Sequence, residues 1–417
     1  MTTAASDLRY DKSHALAIQG PHACTRWVSQ YVSRAMKRDL DKLYNLPKDV
    51  KFCRRCVMSN QRPRIAFDDD GVCNACRYAE RKQSTIDWSI RERELIDLCD
   101  KHRRKDGRFD VIVPSSGGKD SAYVAHMLKY KYGMHPLTAT WSPNVYTDIG
   151  RENFHGLIDG GLDNLLGTPN GIVNRRMVRL CLEEMGEPFQ PFIYGQYWFP
   201  VKVAMQYDVP LIMIGENADI EYGGNPATET MRGFGIGDEL RYFFQNRGID
   251  HWTEQFSAQE LEYYGPLNIE AAQQKKIERH FFGFYRKWVP QENFYYASQN
   301  TGFKPNPDGR SECTYSKYAS LDDQFDGFHY YFMLLKFGIG RATSDAAHEV
   351  RDGHLTREEA VALVRRFDAE KPVKYFRQFL DYCRLTEQQY WDIADGWRNE
   401  RLWQYSGNDW KLRAQVS

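Results

Sequence analysis

The sequence has no excess of either charge and no long apolar run. Lysine plus arginine and aspartate plus glutamate each number 56 among the 417 residues, so the formal net charge is zero. This balance argues against a protein that binds nucleic acid over a broad basic surface. No stretch approaches the length of a membrane span, and the start MTTAASDLRYDKSHALA lacks the apolar core of a signal peptide. We therefore predict a cytoplasmic protein that neither binds nucleic acid nor inserts into a membrane.

The nine cysteines do not have the pattern of a disulfide framework. Cys53 and Cys56 form one CxxC pair, and Cys73 and Cys76 form a second pair after sixteen intervening residues. Two such pairs can complete a tetrahedron of thiolates around Zn²⁺ with no open position, so the predicted role of the metal is structural. A redox dithiol is the rival interpretation, but it would not need a second pair at this spacing. The cysteines in helical contexts are predicted to be core thiols: Cys99, Cys181 and Cys383.

The strongest local signal is Phe109–Lys129, in which an apolar run, a glycine turn and a helical pattern follow one another. Asp110–Val113 predicts a buried parallel strand, and Asp120 to Lys129 predicts a helix. The N–H groups of such a turn and of the helix N-terminus form a cradle for phosphate. A Walker A loop is excluded, because that motif needs glycine at Val113 and serine or threonine at Asp120.

The loop instead resembles the pyrophosphate loop of the N-type ATP pyrophosphatases, which cleave ATP between the α and β phosphates and adenylate a substrate oxygen. The resemblance implies that Lys119 neutralises developing charge and that Asp120 helps to hold Mg²⁺, so both are candidate catalytic residues. An ordinary turn between a strand and a helix is the alternative. The residues implied to bind ATP or pyrophosphate are Ser115, Ser116, Gly117, Gly118, Lys119, Asp120 and Ser121.

Strands and helices alternate on both sides of this loop, which predicts an α/β fold with a doubly wound parallel sheet. In such a sheet the ligand site lies beyond the carboxyl ends of the strands. Glu216 follows the last predicted strand, where its carboxylate could reach Mg²⁺ or substrate and act in catalysis. A solvated or helix-capping glutamate is an equal alternative. Strands are predicted at Pro136–Trp141, Leu162–Gly167 and Pro210–Ile214, and helices at Val173–Met185 and Phe199–Tyr207.

The chain is predicted to have four parts. They are an N-terminal extension (1–50) with an amphipathic helix over Trp27–Leu43, a zinc ribbon (51–90), the ATP-binding domain (91–230) and a mainly helical substrate or partner region (231–417). The ribbon is expected to contain a strand at Arg64–Phe67 and a turn at Asp68–Gly71, and the last region a basic helix near Gln273–Lys287.

Polar groups of the catalytic kind are dense between Thr314 and Arg351. Asp322, Asp326 and His329 would share a helix face, where a metal or acid–base site and a structural salt-bridge network both remain open. The candidate substrate residues in and before this block are Glu221, Tyr222, Lys317, Asp323, His329, Arg341, His348 and Arg351.

Six blocks together resemble the bacterial N-acetyl sugar amidotransferase family of surface-polysaccharide and O-antigen biosynthesis. They are CRRCVM…GVCNAC, PSSGGKDS, TPNG, GEN..IEYGG, KWVP…NFYYASQNTGF and TYSKYASLDDQFDGFHYYFMLLKFGIGRAT..AAHEVRDG…TREEA, and the resemblance runs from about Cys53 to about Phe367. It implies ATP-dependent conversion of the acetamido group of an activated sugar to an acetamidino group. The expected cofactors are ATP, Mg²⁺ and structural Zn²⁺, and the expected products of ATP are AMP and pyrophosphate.

The chain has no recognisable glutaminase to supply ammonia. None of the nine cysteines lies in a Gly-x-Cys-x-Gly elbow, and Thr2 stands where an N-terminal-nucleophile glutaminase needs cysteine. We therefore predict a separate glutaminase subunit, which in the resembled family is accompanied by a cyclase-like barrel protein.

Two rival functions remain open at the level of sequence. A zinc-containing tRNA thiolase would also join a ribbon to a pyrophosphate loop, and Cys313, directly before Thr314, is the one cysteine at the polar block. Such an enzyme should bind tRNA with a steep salt dependence, which the zero net charge disfavours. A non-catalytic zinc-ribbon interaction protein with a degenerate nucleotide site is the second rival, which the intact Lys119 and Asp120 disfavour.

Overall fold

A five-stranded parallel sheet forms the centre of the computed structural model, which describes residues 37–238, 244, 247–265 and 269–417. The strand order β3-β2-β1-β4-β5 places β1 in the middle. Ile112 of β1 pairs with Leu137 of β2 on one side and with Ile212 of β4 on the other. The strands are β1 Val111–Pro114, β2 Pro136–Trp141, β3 Asp163–Gly167, β4 Leu211–Ile214 and β5 Glu278–Phe281.

Helices cover both faces of this sheet, as the alternating side chains of β1 show. Ile112 belongs to the apolar cluster that contains the helices over 171–185 and 190–207, whereas Val111 and Val113 belong to the cluster that contains the helices over 88–102 and 119–130. Successive residues of a strand point to opposite faces, so a strand buried on both sides must be apolar throughout. The predicted doubly wound α/β fold is confirmed.

The helices are numbered in chain order. They are α1 Leu40–Tyr44, α2 Asn74–Ser84, α3 Trp88–His102, α4 Lys119–Tyr130, α5 Asp148–Asp159, α6 Gly171–Met185, α7 Gln190–Tyr207, α8 Ala218–Glu221, α9 Ala258–Leu261, α10 Ile269–Gln274, α11 Phe282–Tyr285, α12 Pro290–Asn300, α13 Asp326–Phe337, α14 Arg341–Asp352, α15 Arg357–Phe367, α16 Phe376–Cys383 and α17 Glu387–Gly396. Beyond them, β6 (Trp403–Ser406) and β7 (Asp409–Leu412) form an antiparallel pair. The C-terminal region is thus mainly helical, as predicted.

Three predictions of local structure are wrong. Asp322 does not share a helix face with Asp326 and His329, because α13 begins only at Asp326. The stretch predicted as a basic helix, Gln273–Lys287, contains β5, because Glu278–Phe281 pairs with the exposed edge of β4. The ribbon strand at Arg64–Phe67 is reduced to an isolated bridge between Phe67 and Cys73, since Arg64 adopts a φ of 68° that extended backbone does not allow. The turn after it is confirmed, because the Gly71 N–H donates to the Asp68 carbonyl oxygen at 2.9 Å.

The amphipathic helix predicted over Trp27–Leu43 lies outside the described residues except for its end, where α1 begins at Leu40. Residues 37–417 form one compact unit. Within the described part of the chain, no helix is both long and apolar enough to cross a membrane. The four-part division remains a prediction.

Candidate active site and zinc cluster

The loop between β1 and α4 is closed by its own hydroxyl groups. Ser115 Oγ donates to Ser121 Oγ at 2.9 Å, and Ser121 Oγ donates to the Gly118 carbonyl oxygen at 3.0 Å. Gly118 is the N-cap of α4 and offers no side chain to the helix end. The Gly118 position therefore provides no side chain to cap the first N–H groups of α4. Uncapped N–H groups at a helix N-terminus are what an anion site there requires.

Gly117 is the position in this loop that only glycine can occupy. Its φ is 88°, and a Cβ atom would lie 2.7 Å from the Cα and backbone nitrogen of Phe154 in α5. The backbone of the loop is therefore pressed against α5, and a side chain would displace one of the two segments.

A cleft of about 280 Å³ lies where the strands end, since Pro114, Trp141, Ile214 and Phe281 of four different strands all line it. This is the edge at which the sequence places the ligand site. Aromatic side chains form one part of the wall and the polar loop forms another, which suits a base and a phosphate chain respectively. The other lining residues include Ser115, Ser116, Gly118, Asp120, Ser121, Phe192, Gln196, Tyr197, Gly215, Glu216 and Ala218.

Two carboxylates face this cleft. Asp120 Oδ1 accepts a hydrogen bond from Asn293 Nδ2 at 3.0 Å, and its Oδ2 lies 2.5 Å from Lys119 Nζ. Burial, and then the nearby charge of Asp120, raises the pKa of Glu216 to about 7. Two half-buried acidic groups that line one cleft and repel each other suit a hard divalent cation with oxygen ligands, so Asp120 and Glu216 fit Mg²⁺.

A second cavity, of about 160 Å³, shares Ser116, Gly118 and Asp120 with the first. Its other walls come from α5 and from the segment that precedes and begins the C-terminal helices: Gly150, Asn153, Phe303, Tyr318, Ala319, Ser320, Leu321, Asp322 and Arg341. Burial and the charge of Asp326 raise the pKa of Asp322, against a hydrogen bond from the Ser116 side chain. The loop therefore contacts two cavities, one against the strand ends and one against the polar block.

Arg341 stands at the N-terminus of α14, where it also borders a small space with Lys119, Tyr222 and His348. Its Nε donates to Asp345 Oδ2 at 3.2 Å, and its Nη1 donates to the Tyr330 hydroxyl. Arg341 and Tyr222 thus lie near Lys119 of the loop. Their role in binding substrate remains a prediction.

Other candidate substrate residues are engaged with protein groups. His329 Nδ1 lies 2.7 Å from Glu187 Oε1. Asp323 accepts hydrogen bonds from the Asn144 backbone N–H at 2.5 Å and from the Phe325 N–H at 2.9 Å, and burial raises its pKa to about 8. Lys317 is exposed, with its ammonium 5.2 Å from the centre of the Phe294 ring. A substrate role for these residues remains a prediction.

Glu221, His348 and Arg351 form a buried charge network instead of lining the loop together. Glu221 Oε2 lies 2.9 Å from His348 Nε2 and 2.9 Å from Lys82 Nζ, and Arg351 Nη2 donates to the Glu221 carbonyl oxygen at 2.6 Å. Burial alone would raise the pKa of Glu221, but Lys82 and His348 hold it at about 2. Of these residues, His348 alone also borders the small space beside Lys119.

The four predicted zinc ligands are brought together and buried. The Sγ atoms of Cys53 and Cys76 are 3.8 Å apart, as are those of Cys56 and Cys73. A tetrahedral site with Zn–S distances of about 2.3 Å has edges of about 3.8 Å, so the cluster fits Zn²⁺. The Cys73 N–H lies 3.3 Å from Cys53 Sγ, which is a further stabilising contact for a thiolate.

The other cysteines that the structure describes, Cys99, Cys181, Cys313 and Cys383, are not placed for nucleophilic chemistry. Cys99, Cys181 and Cys383 are fully buried core thiols, as predicted. Cys313 is buried too, its Sγ donates to the Glu370 carbonyl oxygen at 3.2 Å, and burial raises its pKa. A thiol held in this way is a poor source of thiolate at neutral pH.

The sequence reasoning missed several residues of the site. Asn293 and Asn153 were not singled out, although Asn293 lies in the NFYYASQNTGF block, and no local pattern marked Phe192 or Tyr197 as cleft residues. Asn293 could have been found from its position, because it is a polar residue inside a block that carries the family resemblance.

The chain has similarities to known proteins in two of three comparisons. Among solved structures, the chain is similar to NMN synthetase from Francisella tularensis, with 11% identity and a TM-score of 0.24 over 54% of this chain and 99% of that chain. No curated protein matches the chain. Residues 312–417 match the family described as LPS biosynthesis protein WbpG-like, C-terminal domain. Residues 312–417 are therefore similar to the WbpG-like C-terminal domain, in agreement with the surface-polysaccharide family that the sequence resembles.

Proposed function

We propose that the protein is an ATP-dependent amidotransferase of bacterial surface-polysaccharide biosynthesis, which converts the acetamido group of an activated sugar to an acetamidino group. One observation carries this proposal. The second cavity joins the pyrophosphate-type loop to Tyr318, Asp322 and Arg341, all of which lie in the stretch that matches the LPS biosynthesis family. Residues of the stretch that matches the LPS biosynthesis family and residues of the loop suited to ATP therefore line the same cavity.

The reaction has two steps that share this loop. The acetamido oxygen attacks the α-phosphate of ATP, the bond to the β-phosphate breaks, and pyrophosphate leaves as the amide loses its N–H proton. The resulting O-adenylyl imidate is then attacked at carbon by ammonia, and AMP leaves with the former amide oxygen while a proton is released. Oxygen has been replaced by NH, and no electrons are exchanged with an external redox partner.

The residues of the loop account for the first step. Lys119 and the N-terminus of α4 stabilise the negative charge of the departing pyrophosphate, and the ammonium of Lys119 is held between Asp120 and the Tyr318 ring, 5.1 Å from its centre. Asp120 and Glu216 would hold Mg²⁺, which supplies charge neutralisation on the phosphates. The rest of the rate acceleration comes from holding the two substrates close together in adjoining cavities.

We assign ammonia supply to a separate glutaminase subunit, acting with a cyclase-like barrel protein as the family resemblance implies. The buried and hydrogen-bonded thiol of Cys313 supports this assignment over the thiolase alternative, because sulfur transfer needs an accessible nucleophilic sulfur. Free ammonia at high concentration should replace the partner in vitro.

Incubation of the purified protein with Mg·ATP, ammonium chloride and a panel of nucleotide-activated N-acetyl sugars tests the proposal. Mass spectrometry should find a sugar product lighter by the difference between O and NH, formed in equal amount with AMP and pyrophosphate. Asp120→Ala should abolish all three products. The matched control is Asp100→Ala, at an exposed carboxylate on α3 that pairs with Arg103 and should leave turnover unchanged. Formation of ADP in place of AMP would refute the proposal.

A further inference from the structure

Helix α2 connects the cysteine cluster to the region of the nucleotide cleft. Cys73 is the N-cap of α2 and Cys76 lies in its first turn, so two of the four zinc ligands fix where this helix begins. Lys82 lies six residues after Cys76, roughly 9 Å further along the helix axis. Its side chain is 1% exposed, which is rare for lysine and requires that the ammonium be fully paired.

The ammonium of Lys82 is shared between two segments that border the cleft and the buried carboxylate of Asp352 on α14. Nζ donates to Glu221 Oε2 at 2.9 Å and to the Trp288 carbonyl oxygen at 2.8 Å, and it lies 3.4 Å from Asp352 Oδ1. Glu221 ends α8, which begins two residues after Glu216, and Ala218 of the same helix lines the cleft. The Trp288 ring packs so closely on Gly215 that a Cβ there would lie 3.0 Å from Trp288 Cη2.

A second path from the cysteines ends on the same glutamate. The Nη1 atom of Arg351 lies 3.7 Å from Cys56 Sγ, and Nη2 donates to the Glu221 carbonyl oxygen at 2.6 Å. The ribbon also contacts the chain just beyond, because Arg64 pairs with Asp219 at 2.9 Å and Asn74 Nδ2 donates to the Gly224 carbonyl oxygen at 3.3 Å. Contacts with the ribbon therefore stabilise the conformation of residues 219–224.

We propose that occupation of the four-cysteine cluster by zinc sets the position of Glu216 through Lys82 and Glu221, so that zinc and Mg·ATP bind with positive coupling. Lys82 is a positioning residue in this scheme, since it reaches the nucleotide site only through Glu221 and Trp288. A buried charge that loses its partner is strongly destabilised, so a shift of α2 must be followed by the Glu221 segment. The inference rests on the proposed function, because it takes Mg·ATP as the ligand of the cleft.

The first arm of the test is the variant Lys82→Met, compared with Lys101→Met. Lys101 is an exposed lysine on α3 that pairs with Glu278, so its replacement removes a charge without touching the network. For each protein we would measure zinc content, melting temperature and, well below melting, the Kd of a non-cleavable Mg·ATP analogue. Lys82→Met should keep one zinc per chain and bind the analogue about tenfold more weakly, whereas Lys101→Met should match the parent protein.

The second arm uses the reciprocity of coupling. If zinc strengthens nucleotide binding, the nucleotide must strengthen zinc binding by the same factor. In equilibrium competition with a chromogenic chelator, the zinc Kd of the parent protein should therefore fall about tenfold when the Mg·ATP analogue is bound. In Lys82→Met with saturating analogue this tighter zinc binding should be lost, an effect that a lysine needed only for stability would not produce.

The outcomes separate the inference from the proposed function. A parent protein that does not bind Mg·ATP would refute the proposed function and the inference with it. A parent protein that binds the analogue but has the same zinc Kd with and without it would refute the inference alone, and this arm decides the matter even if Lys82→Met does not fold. Parental nucleotide affinity in a folded, zinc-loaded Lys82→Met protein would also refute it, whatever its melting temperature.

Discussion

The side-chain amide of Asn293 donates a hydrogen bond of 3.0 Å to Asp120 Oδ1, although 173 residues separate the two in sequence. The other carboxylate oxygen of Asp120 is beside Lys119 Nζ. Asp120 is thereby held from two sides at the start of α4, with its orientation toward the cleft fixed before any ligand arrives. Asn293 is buried in α12, which packs along α4 and so carries this contact.

Asn293→Leu should therefore lower the rate of ATP cleavage without unfolding the protein. Loss of a group that orients a metal-binding carboxylate typically costs tenfold to a hundredfold in metal affinity or activity, and we expect a loss of about that size in the rate of AMP formation. The same change at Asn300, an exposed residue on the same helix, is the control and should have no effect. Equal AMP-forming rates in the two variants would contradict the role given to Asn293.

Gly117→Ala should disable the loop. The new methyl group would meet the Phe154 backbone at 2.7 Å, and a shift of the loop by such an amount should lower ATP cleavage by about a hundredfold. Gly107 is a matched control, because it also has a positive φ (78°) but nothing lies within 4 Å of its added Cβ. Gly107→Ala should cost roughly 1 kcal/mol of stability from backbone strain alone and leave the ATP-cleavage rate intact. Thermal melts and AMP assays on both variants make this comparison.

Zinc should be present at one ion per chain and should depend on the four clustered cysteines. Cys56→Ser removes a ligand whose Sγ is 3.8 Å from its neighbour, and elemental analysis should show loss of the metal together with a lower melting temperature. Cys99→Ala, at a core thiol outside the cluster, should retain full zinc content. Retention of stoichiometric zinc in Cys56→Ser would contradict the assignment.

The pair formed by His329 and Glu187 should make stability depend on pH. Burial alone would lower the pKa of His329, but the Glu187 carboxylate outweighs burial and raises it above 6.5. The pKa of Glu187 falls below 4.5, because His329 outweighs the opposite effect of burial. The stabilisation is therefore present between pH 4.5 and 6.5, is lost as pH rises through the raised histidine pKa, and is lost again as pH falls through the lowered glutamate pKa.

Chemical denaturation of His329→Gln at several pH values measures this dependence. The variant should be less stable than the parent protein by roughly 2 kcal/mol between pH 5 and 6.5, with a difference that shrinks toward alkaline pH. His155→Gln, at an exposed histidine, should show a small and constant difference. A His329→Gln difference that grows with pH would mean that the pair is not ionic.

Much of the fold could be predicted because its signals are local. The apolar run that forms β1, the glycine turn and the inward positions of α4, such as Val124 and Leu128, are all encoded within some twenty adjacent residues. The ligand spacing of the cysteines is equally local. β5 escaped prediction because ERHF has no apolar run and becomes a strand only by pairing with β4.

The candidate site could be predicted only in part, for a related reason. The loop is one continuous segment, so its residues were found together. The partners that orient it come from distant segments, as Asn293 shows. Residue type alone also does not show which partner a buried side chain has. Glu221 and His348 are both candidate substrate residues in the sequence, but in the folded chain they contact each other at 2.9 Å.

The most direct test of the account follows the oxygen atom of the acetamido group. The sugar would carry ¹⁸O in that group and react with Mg·ATP and ammonium chloride, and AMP would be analysed by mass spectrometry. Direct adenylation of the amide oxygen predicts that the label appears in the phosphate of AMP, in equal amount with the acetamidino sugar. Unlabelled AMP formed alongside the amidinated sugar, or ADP in place of AMP, would contradict the account.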